Sequence, residues 1–558
     1  MINTLPTRFE AITASAQARR ADRGWWLQFI GLLGITGLSG WLLLNQGAGF
    51  AALGWCAFVL GALAIVYQPR YGVYLILGLT LVGDSLLDPW YPFVKNLSSA
   101  ESLLYLGRAT SFSPAEIYMA LTLIAWLGRA AMQRKLKGYR GALFWPALSF
   151  AAFITFGLVY GLLRHGNPTV ALWEVRSIYY LPIMLILTSN LLETRRHVNV
   201  LIWTIILALF LDGLSGAWFV AAVLKFDISS LEAIAEHSDS IHLNTLFVLT
   251  IAVWMFRGSR AKRLVLPLML PIVLISYIAN QRRAAFITLA VALLVIAIVL
   301  YRTNRKAFWM NVPTASAVFL VYLAIFWNSS SGGISGPARA IRSVVAPVQG
   351  SRNDASNVYR VTENINTKFT IKTAPLTGIG FGNKFSIIVP MPDISFFIWW
   401  EYITHNSIMW IWMQTGLGGF VSMLFLVGLA VIVGARALFR MPGGDLSAAA
   451  LMATLYIVMH CIYAYVDMSW EGQSMIYVGV MMGLINGLER IVARPVPRAR
   501  KRWAWQRDLT PAPELRPVLE QVKSGGSGGS ARPRYTLWSA PVTTVPPSAS
   551  PVRGGERV

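Results

Sequence analysis

The chain alternates between long apolar runs and short polar turns along most of its length. Each run has roughly 17–25 residues, the length an α-helix needs to cross the hydrocarbon core of a bilayer. About fourteen such runs lie near residues 25–45, 48–67, 71–87, 115–131, 142–163, 173–192, 199–223, 241–256, 264–280, 284–301, 307–327, 406–434, 446–465 and 473–489. The pattern predicts an all-α polytopic integral membrane protein with about 12–14 transmembrane helices and one long loop outside the membrane.

The polar turns differ in charge between the two sides of the predicted bundle. On the side of the N-terminus the turns read QPRYG, RKLKGYR, ETRRH, RGSRAKR, RTNRK and RALFR, and all contain Lys or Arg. The opposite turns include the acidic segments KFDISSLEAIAEHSDS and DMSWEGQ. Short cytoplasmic loops of membrane proteins carry an excess of Lys and Arg, so the pattern places the N-terminus in the cytoplasm.

The pattern divides the chain into five segments. Residues 1–24 are a cytoplasmic N-terminus, 25–327 a bundle of about eleven spans, 328–404 a large periplasmic loop, 405–490 about three further spans, and 491–558 a basic, Pro/Gly/Ser-rich tail. The tail is predicted to be disordered in the cytoplasm. An outer loop as long as 328–404 among tight turns is usually functional, so chemistry is expected there.

Composition excludes an ordinary soluble protein. The 558 residues are 55% hydrophobic and only 13% charged, with a mean hydropathy of +0.55. The net charge of +23 suggests nucleic acid as a partner, but the basic residues lie in short loops and the tail, without a nucleic-acid recognition fold. Cys56 and Cys461 both fall inside apolar runs, so no disulfide framework or thiolate metal site is predicted.

Several charged or titratable residues on the outer side run against the topological bias. They are Glu174 and Arg176 in WEVRSIYY, Arg282 and Arg283 in NQRRAAF, Arg360 in the large loop, and His405 at the start of the next span. A single arginine in such a place is readily explained by anchoring of a helix end. Several together predict binding of a diphosphate, because a guanidinium is always charged and donates two parallel hydrogen bonds to phosphate oxygens.

His405 and Asn406 stand directly before the apolar run in THNSIMWIWMQTGLGGF. A neutral imidazole at this place can take the proton from an attacking sugar hydroxyl. We expect the neighbouring arginines to disfavour the imidazolium and so to lower the pKa of His405. Asn406 either caps the following helix or orients the ring.

Two further features of this region are interpreted as structural. Gln414 lies about 13 Å along a helix from His405, and we expect it to make an interhelical hydrogen bond, while Gly416 and Gly419 allow close helix approach. The GIGFG segment at 378–382 lacks the preceding strand and following helix of a phosphate-binding loop. A flexible turn is therefore expected there.

The order of these motifs resembles the O-antigen ligase and polymerase superfamily of bacterial envelope glycosyltransferases. The family's Ser-Arg-Gly-Ala turn between two spans resembles RRAA, in which Arg283 aligns with the family arginine and Arg282 replaces the serine. Its long periplasmic loop, with an arginine and then a Pro-x-x-Gly-x-Gly-x-Gly segment, resembles Arg360 followed by PLTGIGFGNKF.

The last family motif resembles the stretch that opens the span after the large loop. It has a His-Asn pair, matched by His405 and Asn406, and then a Glu and two glycines, with Gln414 here in place of the Glu. The resemblance covers about residues 170–490.

The resemblance implies inverting, metal-independent transfer of a glycan from undecaprenyl diphosphate to a sugar hydroxyl of an acceptor glycan. The reaction would occur at the periplasmic face of the bacterial inner membrane, among membrane lipids, in biosynthesis of O-antigen, capsule or exopolysaccharide. No cofactor and no nucleic acid are implied. His405 would be the catalytic base, and the expected substrate-binding residues are Arg283, Arg360, Arg282, Arg176 and Asn406.

Other functions stay open at this point. The acceptor is another repeat unit in a polymerase, lipid A–core in a ligase and a protein in a protein O-oligosaccharyltransferase, and the sequence does not separate them. A lipid-linked glycan flippase or other transporter would carry charged residues through the midplane, whereas these candidates cluster at the outer edge. The outer loops show no acidic cluster, which disfavours a metal-dependent oligosaccharyltransferase that needs carboxylate ligands.

Overall fold

The computed structural model describes residues 50–134, 138–228, 233–329, 334–346, 352–392, 399–441 and 443–493. The predicted N-terminal segment, the first apolar run at 25–45 and the tail from 494 onward lie outside them. Within the described residues the chain forms fifteen α-helices and no strand. They are α1 (Phe50–Tyr67), α2 (Arg70–Val82), α3 (Pro114–Met132), α4 (Phe144–Leu163), α5 (Pro168–Leu191), α6 (Arg195–Trp218), α7 (Asp239–Met255), α8 (Arg260–Ala279), α9 (Arg283–Thr303), α10 (Arg305–Phe326), α11 (Gly336–Val345), α12 (Arg352–Thr373), α13 (Ser407–Arg440), α14 (Asp445–Val466) and α15 (Gly472–Ala493).

Each apolar run in the described part of the chain forms a helix. Eleven of these helices are long and apolar enough to cross a membrane, and α2 and α7 are shorter apolar helices. The predicted all-α polytopic membrane protein is confirmed. Burial differs widely among the helices, because α14 and α15 are mostly enclosed by protein whereas α10 has no buried residue.

The centre of the bundle is formed by α5 packed along α15. Gly479 and Gly483, one turn apart on α15, face the backbone of α5. A Cβ atom at these positions would lie 2.6 Å from the carbonyl oxygen of Leu181 and 2.7 Å from that of Leu185. Small residues spaced four apart allow two transmembrane helices to approach closely, so this contact joins an early span to the last one.

α13 is broken at Gly416, where a neighbouring turn inserts its backbone. Gly416 has a φ of 68°, and a Cβ there would lie 2.0 Å from the carbonyl oxygen of Leu376. The turn at 378–382 then packs against α4, where a Cβ at Gly380 would lie 2.4 Å from the backbone of Gly161. The expected flexible turn is therefore wrong, since this turn is tightly packed. Gly416 makes room for the turn rather than for a second helix.

The segment between α10 and α13, treated as a loop from the sequence, contains α11 and α12. Hydrogen bonds connect α12 to the turn between α14 and α15, and that turn to the segment preceding α7. A further hydrogen bond connects the segment preceding α7 to the one following α2. We call the end of the bundle formed by these segments the site end; it comprises residues 83–113, 233–238, 334–346, 352–392, 399–405 and 467–471.

Candidate active site

Arg283 is the first residue of α9 and contacts two helices of the site end, α11 and α12. Its Nη1 donates long hydrogen bonds to Asn357 Oδ1 of α12 (3.3 Å) and Ser343 Oγ of α11 (3.5 Å). Among the described residues no carboxylate forms an ion pair with it, and Asp467 acts on its charge only from a distance. The positive end of the helix dipole adds to the guanidinium charge, so this corner favours an anion.

α12 carries a polar stripe beside Arg283, with Asn357, Arg360 and Glu363 at three-residue spacing. Arg360 lies close enough to Arg283 for the two charges to repel each other. Its Nη2 is 3.4 Å from Asp467 Oδ2, whereas its buried Nε has no hydrogen-bond partner among the described residues. Two guanidiniums with donors still available therefore converge from α9 and α12.

Glu363 holds His405 through both its backbone and its ring. The Glu363 side chain is buried, accepts the backbone N–H of His405 at 2.8 Å, and lies 3.1 and 3.2 Å from Nδ1. With the Nδ1 proton directed at the carboxylate, Nε2 carries the lone pair, and within the described part of the chain nothing bonds to it. The ring of Tyr359 packs edge-on at a centroid distance of 5.4 Å. His405 is thus oriented as a base.

The pKa of His405 is raised above its ordinary value, so the expectation that it is lowered is wrong. Burial lowers the pKa, and so does the charge of Arg360. The hydrogen bond to Glu363 and the negative charges of Glu363 and Asp467 outweigh both effects. The ring therefore binds a proton more tightly than a free histidine does.

Asp467, in the turn between α14 and α15, joins the two sides of the site. Its Oδ2 is 3.0 Å from His237 Nδ1 and 3.4 Å from Arg360 Nη2, and its Oδ1 accepts the backbone N–H of Met468 at 2.9 Å. Burial raises the pKa of Asp467, but the hydrogen bond to His237 and the charges of His237, Arg360 and His405 lower it well below its ordinary value. A carboxylate that stays ionised here holds Arg360 in place.

The other two predicted substrate-binding arginines, Arg282 and Arg176, make their interactions outside the Arg283–Arg360 corner. Arg282 places its charge near Asp84 and Glu236. Arg176 is held by Glu116, whose Oε1 accepts from its Nε at 2.9 Å. Arg176 also donates to Asn96 Oδ1, the Ser111 carbonyl and Tyr180.

Asn406 and Gln414 both make hydrogen bonds that support the site. Asn406 is 2% exposed and caps α13, because its Oδ1 accepts the backbone N–H of Met409 at 3.0 Å. Gln414 is fully buried, and its amide bridges the packed turn and α13. In the orientation that satisfies both ends of the amide, the nitrogen donates to the Gly380 carbonyl (2.8 Å) and the oxygen accepts from the Trp410 indole (3.3 Å).

Three carboxyl groups from separate segments lie close enough to act on one another: the buried Asp84 and the half-buried Glu236 and Glu471. Asp84 Oδ2 accepts the backbone N–H of Glu236 at 2.8 Å, and burial raises the pKa of both Glu236 and Glu471. The expectation that the outer loops lack an acidic cluster is wrong, since folding joins residues that are distant in sequence. No three His, Cys, Asp or Glu residues in the described ranges are arranged as metal ligands.

A cavity of about 600 Å³ lies beside His405 and Asp467. Ile403 and Ser407, on either side of His405, line it, as does Met468, the neighbour of Asp467. Most of the remaining wall comes from the segment after α2, the first half of α5 and the start of α15, and Glu236 of the segment preceding α7 also lines it. Its aromatic members are Phe93, Trp173, Tyr180, Trp410 and Trp470.

Sequence reasoning missed three residues of this site. Glu363 had a usable signal, because it follows Arg360 by three residues in a segment that could have been tested for helical spacing. Asp467 lies in DMSWEGQ, which was used only to assign the side of the membrane. His237 is an isolated histidine in an acidic segment, and nothing local distinguishes it.

Residues 245–424 match the family model described as O-Antigen ligase. The matched segment begins in α7, ends in α13 and contains Arg283, Arg360 and His405. It lies within the range over which the resemblance was drawn, and the superfamily recognised from the motifs is confirmed. No curated protein matches the chain.

Proposed function

We infer the reaction from two findings: the O-antigen ligase domain at residues 245–424 and the multi-pass membrane architecture. We propose that the protein transfers a glycan from undecaprenyl diphosphate to a sugar hydroxyl of an acceptor glycan. The site end faces the periplasm, and the product is a surface polysaccharide of the bacterial envelope. The enzyme acts as a polymerase or a ligase.

The donor diphosphate binds between Arg283 and Arg360. Both guanidiniums have donors available, and the N-terminus of α9 contributes partial positive charge at the same place. As the sugar leaves, negative charge builds up on the diphosphate, and preorganised arginines stabilise that charge more than they stabilise the bound donor. No metal ion is required for this role, because the two arginines supply the charge.

His405 activates the acceptor. Nε2 takes the proton of the acceptor hydroxyl, the hydroxyl oxygen bonds to the anomeric carbon, and the bond from that carbon to the phosphate oxygen breaks. The diphosphate leaves with the electron pair, on the face opposite the attack, so the configuration at the anomeric carbon inverts. Glu363 holds the ring and stabilises the imidazolium that forms.

The observation that supports this proposal best is the convergence of three elements on one corner. α9 brings Arg283, α12 brings Arg360 and Glu363, and the residue pair before α13 brings His405 with an available Nε2. A flippase needs polar groups along a path through the bundle, and this cluster lies at one end of it.

The test mixes the purified protein, in the presence of EDTA, with lipid-linked glycan that was extracted from a strain lacking the protein. Wild type should extend or transfer the glycan, and His405→Ala and His405→Gln should lose activity by about 10²–10⁴-fold. Both variants should still bind undecaprenyl diphosphate, because the arginines hold it. Full transfer by His405→Gln would refute the proposed base. Longer chains on the lipid carrier identify a polymerase, and transfer to lipid A–core identifies a ligase.

A further inference from the structure

The cavity beside His405 has the composition of a binding site. Three tryptophans, Trp173, Trp410 and Trp470, line it together with Gln473 and several serines. Ligand sites combine aromatic surface with a few polar groups that fix orientation. Aromatic surface accommodates the C–H face of a sugar ring, and the polar groups accommodate its hydroxyls.

Two polar side-chain oxygens in this wall have no hydrogen-bond partner in the described part of the chain. Thr80 is 2% exposed, and its hydroxyl has no hydrogen-bond partner among the described residues. Gln473 donates to the carbonyl oxygens of Thr80 (3.0 Å) and Gly83 (2.7 Å), while no described residue donates to its Oε1. A buried hydroxyl without a partner is costly, and most are satisfied by protein, water or ligand.

The cations in the wall are already neutralised. Arg176 is bonded to Glu116, and Lys95 forms an ion pair with Glu101. An incoming anion would therefore find no free positive charge on either of them.

Carboxyl groups in the wall add to the selection against anionic ligands. Glu236 and Glu471 line the cavity, and both are half-buried, with the charge of Arg282 acting on Glu236. Burial raises the pKa of both groups, so a protonated carboxyl can donate to a sugar oxygen, and an ionised one can accept from a hydroxyl or ammonium. In its ionised form, either carboxylate would repel a phosphate or carboxylate on the ligand.

We propose that this cavity binds an uncharged or amino sugar at the end of the acceptor glycan that receives the transferred chain. The inference rests on the proposed transferase function and names its acceptor site. No lining residue belongs to α9 or α12, which carry the diphosphate-binding arginines, so the cavity is distinct from the donor corner. His405 lies between Ile403 and Ser407, two residues of the cavity wall, and in this proposal the acceptor hydroxyl reaches Nε2 across that segment.

Blocking the cavity tests the site. Ser99, a half-buried lining residue, is replaced by Cys in full-length protein that also carries Cys56→Ala and Cys461→Ala, and is then alkylated with a bulky maleimide. Ala109→Cys is the matched control, because Ala109 is exposed in the same segment and does not line the cavity. The ligands are undecaprenyl diphosphate and the acceptor glycan released from its lipid by mild acid.

Alkylation of Ser99→Cys should weaken binding of the released glycan and slow transfer at least tenfold, and should leave binding of undecaprenyl diphosphate unchanged. The alkylated control should behave like untreated protein. If the protein transfers glycan but the block changes neither binding nor rate, the acceptor site is refuted while the transferase function stands. If the block abolishes glycan binding in a protein that never transfers, the transferase function fails and the glycan site stands.

The charge discrimination has its own test in the polysaccharide itself. Comparing the glycans of wild type and deletion strain identifies the linkage that this protein makes, and linkage analysis identifies the sugar that receives it. That sugar should carry no carboxylate and no phosphate. A uronic acid or phosphorylated sugar at this position would overturn the proposal.

Discussion

The pairing of Glu363 with His405 decides how the candidate base behaves. A buried carboxylate accepts both the backbone N–H and the ring Nδ1–H of His405, so it sets the tautomer and the orientation of the ring together. Sequence reasoning from the arginines alone gave the wrong sign for the pKa, because two nearby carboxylates outweigh the guanidinium. Identifying a base from sequence therefore does not predict the pH at which it works.

Glu363→Gln should separate these two effects. Transfer needs the neutral ring, so in wild type it is lost as the pH falls through the raised pKa of His405. Removing the negative charge of Glu363 lowers that pKa, so the acid limb of the pH–rate profile should move to lower pH. The maximal rate should fall by up to about 100-fold because the ring is less firmly oriented. A profile with a lower rate and an unmoved acid limb would assign Glu363 a purely structural role.

Arg283 allows a matched comparison within one helix. Arg283→Ala should weaken binding of undecaprenyl diphosphate and abolish transfer, and Arg283→Lys should restore only part of both, since an ammonium cannot make the two-pronged contact. Arg302, exposed at the opposite end of α9, provides the control, and Arg302→Ala should bind and transfer like wild type. Equal binding by the alanine variants at both ends would remove Arg283 from the donor site.

At the scale of elements, hydrophobic runs predicted the spans because each apolar stretch can bury its backbone polar groups only as a helix in lipid. Helices α11 and α12 were not predicted, since neither is an apolar run of spanning length. Asn357, Arg360 and Glu363 lie on one face of α12. The role of that face can be recognised only in the folded structure, where Arg283 and His405 lie beside it.

The packed turn predicts a sharp effect from one methyl group. Gly380 has a φ of 81°, and a Cβ there would lie 2.4 Å from the backbone of Gly161. Backbone strain alone should make Gly380→Ala destabilise the fold by about 1–3 kcal/mol, and the close contact with Gly161 should add to this. Gly428→Ala is the control, because a Cβ at that helical position meets nothing within 4 Å. Thermal unfolding in detergent should separate the two variants, and equal melting temperatures would contradict the packing described.

At the scale of the whole molecule, the orientation of the bundle determines which compartment the site faces. Thr373, at the exposed end of α12, and Ala261, exposed at the start of α8, belong to segments predicted on opposite sides. In a Cys-free background, Thr373→Cys should react with a membrane-impermeant maleimide in intact spheroplasts, and Ala261→Cys only after the membrane is broken. The reverse pattern would place the site end in the cytoplasm.

The sequence predicted the catalytic candidates that lie in recognisable motifs, but not the residues that hold them. Arg283, Arg360 and His405 each stand in a motif, and hydrogen bonds connect Arg283 to α12 and His405 to Glu363. Asp467 is 62 residues from His405 in sequence and reaches Arg360 only through folding. Long-range pairing of this kind leaves no local periodicity to detect.

The contact between α5 and α15 can form only late in the synthesis of the chain. The ribosome must add 280 residues after α5 ends at Leu191 before α15 begins at Gly472, which takes roughly 15–60 seconds at typical rates of synthesis. During that interval α5 stands in the membrane without its closest partner, open to insertion chaperones and to quality-control proteases. Asp467 emerges only just before the last helix, so a chain stopped early holds the arginines without the carboxylate that anchors Arg360. We therefore expect a truncated chain to be degraded rather than retained with low activity.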